Sequence, residues 1–373
     1  MDLLMIPGPV QLHERIIRAM ARQMIGHRTK DFSEIMEYCI EMLKMCFGTK
    51  HEVFIISGSG TAGMEAAIAS FSKVRRITCI DNGKFGDRFV RIAQRYTEVD
   101  ALRFEWGVSI DLDAVERSLA EGSEAVSFVH NETSTGILNP AKEIAKIAKR
   151  YDALVIMDGI TSVGGDEVRM DDWGIDVAVV GSQKCLGAPP GLAAVAVNER
   201  AWDYYNERCP FYLDLMAYKK KSKDLQTPYT PAIPLFFALH EALKIIEEEG
   251  LENRIRRHRT MAKAVREWAI SLGLELFPKL NEYSRYSNTV TAIKMPRGIT
   301  DKELRGTLKS EYGILISGGQ EHLKGKIFRI GTMGNVTKRD VLATLAALED
   351  ILRRKEIIGR SALDVAADVL GEL

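Results

Sequence analysis

Between residues 50 and 200 the chain alternates short, almost wholly apolar runs with helical stretches. "HEVFIIS" precedes the helical "AGMEAAIASFSK", "RRITCID" precedes "GDRFVRIAQRY", and "EAVSFVH" precedes "PAKEIAKIAKRY". "ALVIMD", "DVAVVGS" and "GLAAVAVN" follow. Apolar runs without polar alternation are buried on both faces, which suits strands of a mainly parallel sheet. Their alternation with helices predicts an α/β architecture covered on both sides.

A Pro-rich hinge, "QTPYTPAIP" (226–234), ends that pattern, and one long helical region follows it. Then come strand candidates "SNTVTAIKMP", "GILISGG" and "KIFRIGTMG", with helices between and after. This reads as a smaller α+β domain. The basic run "RIRRHR" (254–259), beside the acidic "EEEGLE", is expected to be a solvated helix face.

With 373 residues the chain can bury a large core, and two domains are expected. Lys+Arg and Asp+Glu both number 51, so no global charge draws it to nucleic acid or an anionic membrane. Five cysteines form no C-x-x-C pair, which suits reduced thiols in a cytoplasm. The histidines show no H-E-x-x-H, so no metal site is expected. The N-terminus has neither a basic leader nor a long apolar stretch, so neither signal peptide nor membrane span is expected.

Candidate chemistry begins at "IISGSGTAGMEAA" (55–67), where Gly58, Gly60 and Gly63 stand at G-x-G-x-x-G spacing and Asp81 lies about twenty positions on. That is the dinucleotide pattern, yet its physics is generic: a glycine turn and a helix N-terminus bind any phosphate. Ser59 and Thr61 add hydroxyl donors, which favours a monophosphate. Ligands of open α/β sheets sit beyond the C-terminal strand ends. Those ends also offer Phe85, the run His130 to Ser134, Asp158, Gln183 and Lys184. Asp158 follows "ALVIM" with no basic neighbour, a costly place for a lone carboxylate. Lys184 follows "DVAVV" ahead of a Gly/Pro-rich turn. Alone, such a lysine reads as a snorkelling surface residue, and Phe85 alone reads as core packing. Together with the phosphate turn, they fit pyridoxal phosphate, which needs a lysine, a carboxylate for its ring nitrogen and a phosphate cradle.

At "GSQKCLGAPPGL" the sequence resembles the class V aminotransferases, fold-type I pyridoxal-phosphate enzymes that include alanine–glyoxylate and serine–pyruvate transaminases. "IPGPV", "GHRTKDF", "SGSGTAGMEAA", "NGKFGDRF", "HNETSTG", "MDGITSVGGD", "TPYTPAIP" and "KIFRIGTMG" carry the resemblance in family order over nearly the whole chain. It is most similar to archaeal broad-specificity members that act on small and acidic amino acids. The resemblance implies a large cofactor-binding domain over 15–255 and a small C-terminal domain over 256–373 joined by 1–14. It implies that Lys184 bonds the cofactor covalently, that Asp158 pairs with the ring nitrogen and that Phe85, often Trp in relatives, stacks on the ring. Thr133 would donate to the ring hydroxyl oxygen, and Ile160 would line the cofactor site. Ser59, Gly60, Thr61 and Gln183 would hold the phosphate. Thr230, with Tyr229, would reach the phosphate of a neighbouring subunit, so a homodimer with shared sites is expected. Arg329 would clamp the substrate α-carboxylate, with Gly8 adding a backbone contact.

The implied reaction is ping-pong transamination between an amino acid (alanine, serine or aspartate) and a 2-oxo acid (glyoxylate, pyruvate or 2-oxoglutarate). The glycine turn then binds one phosphate, and Asp81 is a strand-end residue. Arg28 in "GHRTKDF" has two readings: a receiver for a distal carboxylate or phosphate at the site mouth, or a surface residue paired with Asp31 or Glu34. Rival functions are an NAD(P) oxidoreductase, which leaves Asp158, Lys184 and Arg329 unexplained, and another reaction on the same fold, desulfuration among them. A desulfurase needs a late mobile cysteine, and none follows Cys209.

Overall fold

The computed structural model describes residues 2–373. Seven strands build the central sheet: β1 (Glu52–Ser57), β2 (Arg76–Asp81), β3 (Glu98–Arg103), β4 (Ala125–Val129), β5 (Leu154–Asp158), β6 (Val177–Gly181) and β7 (Leu192–Val197). Their spatial order is β1-β7-β6-β5-β4-β2-β3. All neighbours are parallel except β7, which runs antiparallel to both β6 and β1. The parallel run places the ends of β2, β4, β5 and β6 along one edge.

The strands β4 to β7 are buried along their whole length, which is why they lack polar alternation. Alternate side chains still serve different layers. Val53, Ile55, Phe128 and Met157 pack under α1 (Lys30–Phe47) and two further helices, α4 (Leu112–Ala120) and α5 (Ala141–Arg150). Phe54, Ile56, Val129 and Ile156 face α2 (Gly60–Ser70) and α3 (Lys84–Ala93). The strand β3 was not anticipated: it is an edge strand, only half-buried, with charged residues at both ends.

The helical region after the Pro-rich hinge is two helices, α6 (Ile233–Glu249) and α7 (Leu251–Ser271), separated at Gly250, whose φ is +79°. That backbone conformation suits glycine and ends the first helix. A second core joins Met261, Val265 and Trp268 to Phe328, Ile330, Leu345 and Leu348. It contains a three-stranded antiparallel sheet, with β10 (Ile327–Gly331) between β8 (Val290–Lys294) and β9 (Ser317–Gly318). The chain start joins this core: Leu3–Leu4 pair in parallel with Ile314–Leu315, and Met5 is fully buried there.

The basic run 254–259 is not a solvated face. Arg254 and His258 stand one helical turn apart on the inward side of α7 and are 1% and 0% exposed. Arg254 donates to the Cys185 carbonyl through Nε and Nη2 and to Glu249 through Nη1. Arg257 donates to Glu249 and to the carbonyls of Gly334 and Val336. Satisfied partners let these cations be buried, which composition alone did not reveal. Among the described residues, no helix is long and apolar enough to cross a membrane.

Candidate active site

A cavity of about 170 Å³ opens where the strands end. The turn from β1 forms one wall. Ser59 is the extended N-cap of α2, and its hydroxyl makes no capping bond. The first N–H groups of any helix lack intrahelical acceptors, so those of Gly60 and Thr61 remain available. A Cβ on Gly60 would lie 2.6 Å from Ile160 Cδ1, so glycine is what lets the helix start abut the β5 loop. The other expected lining residues Phe85, Thr133, Asp158, Ile160, Gln183 and Lys184 surround the same space.

Asp158 ends β5 and is 3% exposed; its Oδ1 accepts the Ile160 N–H at 2.7 Å. Burial pushes its carboxyl up to about 7; the Ile160 hydrogen bond, Arg88 and Lys184 oppose this, while the nearby Glu132 charge adds to it. Lys184 follows β6, and its Nζ donates to the Pro7 carbonyl. Burial lowers its ammonium to about 8, helped by Arg329 and Arg88 and opposed by Cys185 and Asp158. Burial thus works against the charged form of both the acid and the amine. Gly8, at φ +90°, runs so near that a Cβ there would meet the Lys184 side chain at 2.6 Å.

Behind the cavity lies Glu132, fully buried, whose Oε2 accepts the N–H groups of Phe85 and Gly86 and whose Oε1 accepts the Ser134 N–H and hydroxyl. One carboxylate thereby fixes the start of α3, which carries Phe85, and the turn carrying Thr133. Thr133 shares a hydroxyl contact of 2.8 Å with Thr161. Arg329, on β10, spends Nε and Nη2 on the Gly318 carbonyl and Nη1 on the Thr133 carbonyl. Two of its five N–H donors remain unassigned. Burial lowers its guanidinium to about 10, so it stays charged at neutral pH.

Arg28, Tyr229 and Thr230 do not line this chain's cavity, and Gly8 and Arg329 lie beside it rather than in its lining. Tyr229 donates to the Phe211 carbonyl and stacks on Tyr212, and Thr230 is exposed. Arg28 pairs with neither Asp31 nor Glu34. It donates to Gln226 Oε1 and to the carbonyls of Thr227 and Pro228, gripping the segment that leads to Thr230. Backbone carbonyls can take a guanidinium's hydrogen bonds in place of acids, and sequence spacing could not foresee a contact between positions 28 and 228. Asp81 also lies outside the cavity, 3.8 Å from Arg103. Sequence reasoning missed Arg88, Asn131 and Thr161, which do line it. Asn131 and Thr161 sit in segments already flagged as strand-end polar runs, whereas Arg88 looks like an ordinary helix arginine.

The profile of the family described as Aminotransferase class-V matches residues 11–343. An uncharacterized aminotransferase of Methanocaldococcus jannaschii is 48% identical over 99% of this chain and 97% of its own length. The (S)-ureidoglycine–glyoxylate transaminase of Bacillus subtilis is 35% identical over 98% of this chain and 94% of its own. The solved structure of the B. subtilis ureidoglycine–glyoxylate aminotransferase superposes with a TM-score of 0.93 at 35% identity, covering 100% of this chain and 98% of that one. An aspartate aminotransferase of subgroup IV from Thermus thermophilus superposes with a TM-score of 0.88 at 32% identity, over 95% and 99% of the two chains. The residues fit pyridoxal phosphate: an uncharged hydroxyl and N–H turn, a buried carboxylate and a low-pKa lysine line one space, to which the Gln183 amide can add N–H donors.

Proposed function

The chain belongs to the class V aminotransferases, and we propose that it moves the amino group of alanine, serine or aspartate to glyoxylate, pyruvate or 2-oxoglutarate. Its cofactor is pyridoxal phosphate. Relatives that act on glyoxylate support that acceptor, and the likeness to an aspartate aminotransferase supports an acidic donor. The observation that carries the reading is Lys184 and Asp158 on one cavity beside the Ser59–Thr61 turn.

When bound, pyridoxal phosphate supplies an electron sink for the charge left when the substrate Cα loses its proton. Asp158, with one oxygen held by Ile160, offers the other to the ring nitrogen. Lys184 would hold the cofactor, and its Nζ, when free, would take the Cα proton, a task that its lowered pKa suits near neutral pH. Arg329 directs its two unassigned donors to the α-carboxylate, with Gly8 beside Lys184 closing that end. Ser59, Gly60, Thr61 and Gln183 would hold the phosphate, Thr133 would serve the ring hydroxyl, and Ile160 and Phe85 would line the ring's space. Tyr229 and Thr230, outside this chain's cavity, serve the site of a second copy in a homodimer, and Arg28 travels with their segment to meet a distal carboxylate there.

The visible absorption spectrum of the purified protein tests the reading. L-Alanine, L-serine and L-aspartate, added in turn, are expected to shift the yellow band to the shorter wavelength of the aminated cofactor. A protein that stays colourless after incubation with pyridoxal phosphate overturns it. For Arg28, the expected result is that Arg28→Met lowers kcat/KM for aspartate about tenfold more than for alanine, as loss of a charged hydrogen bond predicts. An equal loss refutes the role.

A further inference from the structure

The donors of the Ser59–Thr61 turn are neutral, whereas a phosphate monoester carries about −1.5 to −2 charges at neutral pH. Among the described residues two cations line the cavity, Lys184 and Arg88. Lys184 is committed to the covalent bond and the proton transfer. Arg88 lies on α3, one turn after Phe85. Its Nη1 donates to Thr61 Oγ1 at 2.9 Å, and its guanidinium carbon lies 4.8 Å from the centroid of the Phe85 ring. The neighbouring acid on the helix, Asp87, faces Arg91 instead. Among the described residues Arg88 makes no ion pair, although it is half-buried. A guanidinium turned inward with no acidic partner, on a helix whose other face meets solvent, is placed to receive an anion in the cavity.

We propose that Arg88 is the cation of the phosphate site, neutralising the cofactor phosphate at the Thr61 turn and, by lying on Phe85, coupling that neutralisation to the seating of the ring. The inference rests on the reading that this turn takes the phosphate of pyridoxal phosphate. Arg88 also favours the ionised form of Asp158 and the neutral form of Lys184, which places its charge within reach of both. Guanidinium geometry suits the task, because two parallel N–H groups match two phosphate oxygens.

The test separates the phosphate from the ring. The full chain, stripped of cofactor, is titrated with pyridoxal phosphate and with pyridoxal, which has the same ring and no phosphate. Wild type, Arg88→Met and Arg88→Lys are compared by absorbance, with circular dichroism as the check on folding. Arg88→Met is expected to weaken pyridoxal phosphate binding about tenfold to a hundredfold, the range for a charged hydrogen bond, while pyridoxal binding changes less than about twofold. Arg88→Lys is expected to recover part of the loss, because it restores charge without the fork. Inorganic phosphate should compete with pyridoxal phosphate in the wild type and only weakly in Arg88→Met. Unchanged pyridoxal phosphate affinity overturns the proposal. So does equal weakening of both ligands, which marks Arg88 as a support for Phe85 alone; misfolding of Arg88→Met leaves the same criteria to Arg88→Lys. A wild type that binds no pyridoxal phosphate instead overturns the functional reading beneath it.

Discussion

Asp158 is the residue whose surroundings are most exacting. Its carboxyl ordinarily titrates near 3.8 and is raised to about 7 here, chiefly by burial. Below the ordinary value it is protonated whether the chain is folded or not, so it takes nothing from stability. Between the two values only the unfolded chain ionises, and stability falls as pH rises; above about 7 the full cost applies. In the cofactor-free protein, Asp158→Asn should therefore gain on the wild type as pH rises from 4 to 7, at no more than about 1.4 kcal/mol per pH unit. Urea denaturation at several pH values checks this, and a pH-independent difference refutes it. The same cost made Asp158 legible in the sequence, since a lone charge after five apolar residues demands a reason. Arg88 gave no such signal. It shares its helix with Arg91, and the start of α3, fixed against Glu132, sets which arginine turns inward.

Among the elements, α7 joins the two cores through side chains that sequence reading took for solvated. Arg254 holds the carbonyl after Lys184, and Gly334 donates its N–H to His258 Nε2 at 2.9 Å. That bond makes Nε2 the acceptor, so Nδ1 carries the proton and donates to the Arg254 carbonyl. Burial and the neighbouring Arg257 and Arg254 charges keep this ring neutral, well below its usual pKa. Arg254→Met should lower the unfolding free energy by about 2–4 kcal/mol, as expected for breaking a buried charge network. Arg256→Met, two positions away and exposed, should cost under about 0.5 kcal/mol. Similar losses in urea denaturation would remove the distinction. Element boundaries were hardest to read where burial is partial. The strand β3 has one neighbour and charged ends, and the α6–α7 junction depends on one glycine inside a continuous helical pattern.

At the scale of the whole molecule, the α/β layering was legible because double-sided burial leaves its mark on every central strand. What was not legible is which distant segments meet: a two-residue ladder such as Leu3–Leu4 with Ile314–Leu315 has no period to detect. The placing of Tyr229 and Thr230 outside this chain's cavity makes the proposed sharing testable by mixing. Lys184→Ala and Thr230→Glu variants, each inactive alone, should regain about a quarter of wild-type activity after subunit exchange, since a mixed dimer has one site with both residues intact. No regain after confirmed exchange would mean that each chain serves only itself.

The pairing of the first residues with positions 314–315 also constrains how the molecule comes into being. Leu3 and Leu4 are synthesised about three hundred positions before their partners Ile314 and Leu315, whereas Pro7 meets Lys184 at mid-chain. The sheet that carries Lys184 is complete once β7 has emerged, long before Leu3 has a strand to join. Every strand of the large sheet is therefore made before Leu3 and Leu4 can pair. That ladder waits for a strand made long after the sheet to come back to it.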